Sequence, residues 1–191
     1  MDANRMDTEI RTESFQKKIS VGEYIAACID IEKFLTCCEK CRNYGMVWSC
    51  PPFYFSVEKM WNSYRTLLLY GTKITLPVSL TKQHFETEMW KERYASILKP
   101  VKERMLTELL VMEREQPGSM ALSAGSCEGC ATCARKRRKR CNRPEYMRRS
   151  IESLGGDVSK SIALYFNEKL LWAEAGCLPE HFFLLGGLLM R

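Results

Sequence analysis

The sequence predicts an α/β fold in which a mixed sheet and one long helix support two cysteine-rich metal-binding loops. Three observations point there. Apolar, β-rich runs occur at 66–78 and 182–190. Between them, the stretch from 81 to 116 repeats apolar side chains every three or four positions. Most of the ten cysteines fall into two groups set among glycines and prolines, away from either kind of run. A chain of 191 residues can bury a substantial core, and 46% hydrophobic residues excludes a disordered reading. Residues 1–191 read as one α/β metal-binding domain, with 1–14 polar and frayed and the cysteine-rich loops at 37–55 and 125–144.

The elements follow in order. Residues 20–36 carry apolar positions that suit a short strand or a helix, and their spacing does not decide between the two. From Cys37 to Phe55 the chain is a loop, because Gly45 and the Pro51-Pro52 pair do not continue regular structure. Val57 to Tyr64 spaces Met60, Trp61 and Tyr64 as a short helix. Thr66–Tyr70 and Ile74–Val78 read as one buried strand, bulged at Gly71. Thr81 is placed to cap the long helix, whose apolar face carries Phe85, Met89, Trp90, Ile97, Leu98, Val101, Met105, Leu109 and Met112. Pro100 should kink or divide that helix, and Pro117-Gly118 ends it. Met120–Ala124 is a short strand ahead of Gly125. Pro144 suits the first position of another helix, bearing Met147, Ile151 and Leu154 and closed by Gly155-Gly156. Ser161–Phe166 and Phe182–Met190 read as two further strands, with the metal loops at strand ends.

The chemistry lies in the cysteines. Cys127, Cys130 and Cys133 follow one another at three-residue steps, and Cys141 follows after seven intervening residues, with two more between it and Pro144. Thiolates at that spacing can wrap one inorganic centre corner by corner. The comb resembles the ferredoxin pattern of three close cysteines and a fourth beside a proline, although there the last gap is three residues. Four thiolates complete a [4Fe–4S] cube. They suit tetrahedral zinc equally well, and the third x2 step favours iron–sulfur because zinc ribbons bring two separated pairs.

The first group offers Cys38, Cys41 and Cys50 as metal ligands, with Cys37 adjoining as an additional or alternative one. Cys28 lies in an apolar stretch and reads as a small core residue, as does Cys177. Three thiolates around a cube leave one iron open, and a three-ligand zinc site is likewise catalytic rather than structural. One or two iron–sulfur clusters, with zinc as the alternative, are therefore the expected cofactors.

The phrase from Cys38 to Pro52, C-E-K-C-R-N-Y-G-M-V-W-S-C-P-P, resembles the first signature of an uncharacterised prokaryotic family described as predicted metal-binding protein. Its second signature is similar to Gly125-Ser126-Cys127 through Cys141-Asn142-Arg143-Pro144, followed by Arg149-Ser150-Ile151-Glu152 and Gly156-Asp157-Val158. The long basic insert before Cys141 departs from the usual pattern. The resemblance implies metal binding, iron–sulfur in kind, in a cytosolic setting, and no particular reaction.

The net charge of +6 equals the six consecutive basic residues Arg135 to Arg140, which lie between the third and fourth cysteines of the comb. The run reads as a solvated loop, as cations that offset a negative cluster, or as a patch for an anionic partner. Nothing else supports nucleic-acid binding. Tyr44 and Trp48 lie in the first loop and would shield a cluster from water. Arg143 would donate to a cluster sulfur or an anionic substrate, or serve as a plain surface arginine. His84 and His181, the only histidines, lack ligand spacing to any cysteine. No phosphate loop or nucleophile elbow is present. The N-terminus shows no signal segment and no apolar run spans a bilayer, so the expected location is cytoplasmic. A redox or electron-transfer role with a protein partner is expected. The alternatives are an enzyme acting on a small substrate, sulfur-containing for example, at an open cluster, and a zinc-stabilised binding module.

Overall fold

The computed structural model describes residues 9–174 and 176–191. Four strands form one sheet of order β1-β2-β4-β3: β1 (Arg11–Ser20), β2 (Thr66–Thr75), β3 (Met120–Leu122) and β4 (His181–Met190). The α/β class holds, with the long helix and the cysteine-rich loops in place. The strands pair antiparallel throughout rather than mixing directions. Among the described residues no helix is long and apolar enough to cross a membrane.

Both sheet faces are covered, which is why β2 and β4 read as near-continuous apolar runs. The pleat sends alternate residues to opposite sides. Leu67 and Leu69 of β2 join Phe183, Leu185 and Leu189 of β4 in one core, under the short helices α1 (Val21–Cys28), α3 (Val57–Asn62) and α6 (Val158–Phe166). Tyr70 and Ile74 join Phe182, Leu184 and Leu188 in the other, against the long helix α5 (Thr87–Glu115). The buried face of α5 is Ile97, Leu98, Val101, Met105, Leu106, Leu109 and Leu110, whereas Met89 is exposed. Helix α2 (Ile31–Glu39), capped by Asp30, carries the chain into the first cysteine loop.

Several elements differ from the sequence reading. The expectation that 1–14 fray falls outside the described residues for 1–8, and residues 11–14 begin β1. That strand reads as polar because it is the sheet edge, where charge deters further pairing. Its core contacts are Ile19, which is buried, and the partly buried Phe15, stacked 6.0 Å from the Phe183 ring. Residues 20–36 resolve into α1 and α2, with Ser20 and Asp30 as caps. Gly71 makes no bulge: it pairs in register with Phe15 and Leu185, and a Cβ there would stand 2.7 Å from the Phe183 ring. Thr81 ends a separate short helix, α4 (Val78–Thr81), and the long helix starts at Thr87. Pro100 lies inside α5 without dividing it.

Ser161–Phe166 is helical, not a strand. Asp157 accepts from the Lys160 backbone N–H, and Val158, Ser161 and Ile162 bury one helical face. The helix expected from Pro144 is replaced by a turn, in which the Tyr146 and Met147 N–H groups donate to the Arg143 carbonyl. Beyond it, Ser150 runs parallel to Ser123 as an isolated bridge, and only Glu152–Leu154 coil again, as one 3-10 turn.

Candidate metal centre

The two cysteine loops are interlocked. The buried Ser49 hydroxyl, one residue before Cys50, accepts the Cys127 backbone N–H at 2.8 Å. The Asn43 side-chain amide donates to the Ser126 hydroxyl at 3.1 Å. Arg135, from the basic run, is 9% exposed and reaches across to the first loop. Its guanidinium donates to the carbonyls of Val47 at 2.9 Å, Cys50 at 2.5 Å and Pro52 at 2.6 Å. A planar fork with several donors suits such convergent carbonyls; a lysine would not. The same guanidinium lies 5.0 Å from the Trp48 ring, whose indole N–H donates to the Lys139 carbonyl at 3.0 Å.

The basic run is thus divided. Arg135 is a clamp in the 3-10 turn Ala134–Arg137, while Lys136 to Arg140 are exposed. Arg143 turns inward on its own loop, donating to the Gly129 carbonyl at 3.0 Å and lying over the Tyr146 ring at 4.6 Å. Gly129 must be glycine for that ring to sit there, since a Cβ would come within 2.6 Å of Tyr146. Tyr44 lines an apolar recess with Leu35, Pro51, Pro52 and Phe55.

The rest of the fold holds the pair in place. Gly45 N–H donates to the Pro51 carbonyl at 2.8 Å and closes the first loop, in which the Pro51-Pro52 peptide is cis. Lys102 of α5 pairs with Glu128 inside the comb at 3.0 Å. Glu113 of α5 holds both the Arg148 guanidinium and the Ala121 N–H. Arg149 stacks over Phe53 and Phe55, tying the segment after the comb to the residues after the first loop. At the start of α2, the Asp30 N–H donates to the Gly155 carbonyl at 2.8 Å, so the helix that carries Cys38 is anchored to the same segment.

All the cysteines are free thiols. Cys127, Cys130, Cys133 and Cys141 are each half-buried, as are Cys38 and Cys50, while Cys37 and Cys41 are exposed. Cys37 and Cys38 are neighbours on α2 and so face different ways. Burial pushes the Cys38 thiol up to about 11, with Cys50, Cys41 and Cys37 adding to the effect. Burial likewise raises Cys50, against the Ser49 hydrogen bond and with the help of Cys41. It raises Cys127 too, against the Gly129 backbone, and Cys141, Cys130 and Cys133 reinforce it. The comb cysteines therefore feel one another, the first-loop cysteines feel one another, and Cys50 also feels Cys127. Among the described residues, no three His, Cys, Asp or Glu side chains stand as a set ready to hold one metal ion. The donor set fits a thiophilic metal in its chemistry: a cation would relieve the cost of ionising clustered, half-buried thiols, displacing their protons as it binds.

A family model described as predicted metal-binding protein (DUF2284) matches residues 25–170. The chain belongs to this family. The matched span takes in both cysteine loops, in agreement with the family's description as a predicted metal-binding protein. No curated protein and no solved structure matches the chain.

The remaining candidates go elsewhere. Cys28 is 2% exposed in the core, as its apolar setting predicted. Cys177 is exposed rather than buried, with its sulfur 3.7 Å from His84 Nδ1, a contact that spacing along the chain could not show. His84 lies ahead of α5, which starts at Thr87. His181 opens β4 and bonds the Lys169 carbonyl at 3.0 Å. Sequence reasoning missed Ser49, Asn43 and Ser126, whose only signal is being small polar residues inside or beside a cysteine phrase.

Proposed function

We propose that the chain is an iron–sulfur protein with two adjoining centres and a redox role. Cys127, Cys130, Cys133 and Cys141 would hold one centre, and Cys38, Cys41 and Cys50 the other. The observation that carries this reading is the Ser49–Cys127 hydrogen bond, which fastens a candidate ligand of one loop to the residue beside a candidate ligand of the other. Such a cluster supplies reversible one-electron chemistry when bound. The chain's own part is to half-bury the thiols, keep the loops in fixed register through Arg135, and set cations beside the comb. Lys136 to Arg140, exposed beside Cys141, would guide an acidic partner protein to that side. A cytoplasmic location belongs to this reading, because clustered thiols stay reduced there.

The test is anaerobic purification followed by iron, zinc and acid-labile sulfide counts, with electron paramagnetic resonance before and after reduction. Iron and sulfide in equal amounts, with a signal on one-electron reduction, are expected. Colourless protein containing zinc alone would replace this reading with the zinc-stabilised module. A second reading, an enzyme with an open iron at the first group, is favoured by its smaller thiol complement: three ligands by spacing, one of them exposed. It requires that neither Cys37→Ser nor Cys28→Ser alters the spectrum of that centre.

A further inference from the structure

An apolar recess and an arginine without a counter-ion meet beside the first cysteine loop. The recess, of about 190 Å³, lies between α2, the segment after Cys50 and the 3-10 turn at 152–154. Its lining includes Leu35, one helical turn ahead of Cys38, Tyr44, three residues past Cys41, and Pro51, next to Cys50, together with Phe53 and Phe55. No charged side chain lines it. The Ser153 hydroxyl and the Leu154 and Gly155 carbonyls on its wall are already engaged, with Ser150, Trp61 and Asp30. The interior therefore suits an apolar body, and an unpaired charge buried there would be costly. An engineered apolar cavity of about 150 Å³ holds benzene, so a single ring fits.

Arg149 supplies the charge. Its neighbour Arg148 is paired with Glu113, yet the Arg149 guanidinium enters no salt bridge among the described residues. Burial and the Arg148 charge lower it from the usual arginine range, so the cation carries a cost that a bound anion would offset. Its Nε is sealed and without a partner, whereas the residue as a whole is partly accessible, which leaves the terminal nitrogens to a guest. The guanidinium carbon stands 5.1 Å from the centre of the Phe53 ring and 4.7 Å from that of Phe55. The same two rings line the recess. A carboxylate at Arg149 and a ring in the recess can therefore belong to one short molecule.

We propose that the recess and Arg149 form a binding site for a small organic anion, a carboxylate carried on one apolar ring or branched chain. The carboxylate bonds the terminal nitrogens of Arg149, and the apolar body enters the recess against Phe53 and Phe55. A cation is repelled by the guanidinium, and an uncharged guest gives up the charge-assisted bonds. The site is independent of which metal the cysteines hold, because none of the residues used here is a candidate ligand.

The probes are 4-fluorophenylacetate, 4-fluorophenylacetamide and 4-fluorophenethylamine, titrated by fluorine NMR into anaerobically purified full-length protein. The acid should bind saturably, with a Kd on the order of 1 mM for eleven heavy atoms. It should bind about tenfold more tightly than the amide, with the amine weaker still. Arg149→Gln should weaken the acid about tenfold and leave the amide within about twofold, a split that a merely structural arginine would not produce. Leu35→Trp, at an exposed position of the recess, should abolish binding of all three while thermal melting and metal content stay as in the parent. Absence of saturable binding by the acid, amide or amine binding as tight as the acid's, an acid preference that survives Arg149→Gln, or acid binding unchanged by Leu35→Trp would each overturn the proposal. Should either variant fail to fold, the other and the probe ranking still decide.

Discussion

The two cysteine loops are built on opposite principles. The comb at 125–144 is enclosed evenly: its four thiols are all half-buried, and it carries a strap of its own in Arg143, which bonds the Gly129 carbonyl. The loop at 37–55 offers two half-buried thiols and two exposed ones, and its carbonyls at Val47, Cys50 and Pro52 are satisfied by an arginine from the other loop. The dependence is mutual but unequal: three first-loop carbonyls rest on one buried arginine of the comb, while Ser49, Asn43 and Trp48 each make a single hydrogen bond to the comb. A four-thiol site and a three-thiol site in contact would therefore differ in more than ligand count.

The largest expected effect tests that asymmetry. Cys130→Ser removes one of four matched ligands and should strip the comb centre, cutting iron in anaerobic preparations by about half if both centres are cubes. Retention of full iron would show that the comb is not a four-ligand site. Arg135→Ala leaves three carbonyls short of donors and should cost about 3 kcal/mol in urea denaturation, with loss of metal from the first loop. Arg138→Ala, in the exposed part of the same run, should change stability by less than about 0.5 kcal/mol. Equal effects would mean that the run acts only through its charge. Ser49→Ala removes one interloop bond and should cost about 1 kcal/mol by the same measurement. Cys37→Ser should leave iron content and spectrum unaltered and shift stability by less than about 0.5 kcal/mol; a fall in iron would make Cys37 the fourth ligand of the first group.

Much of this was legible in the sequence. Composition and periodicity gave β2, β4 and the long helix because each is buried against a large apolar surface. The cysteine phrases marked both loops, since few packing demands call for thiols at such spacing. The edge strand β1 was lost because its partners lie on one side only and charge covers the rest. Residues 161–166 misled because a helix buried along one stripe can present a short apolar run, and the cap at Asp157 was the better guide. The contact between the loops could not be read at all. Arg135 in the sequence is one of six basic residues, and only the tertiary approach of Val47, Cys50 and Pro52 distinguishes it from its neighbours.

Arg135 lies on the strip of chain that must close before Cys141 can complete the comb. Filling the comb fixes that strip, and the fixed strip in turn shapes the other loop. Occupancy should therefore be hierarchical: native mass spectrometry of protein reconstituted with limiting iron and sulfide would find the comb filled in every half-loaded molecule. Molecules with only the first loop occupied would show that the clamp transmits nothing.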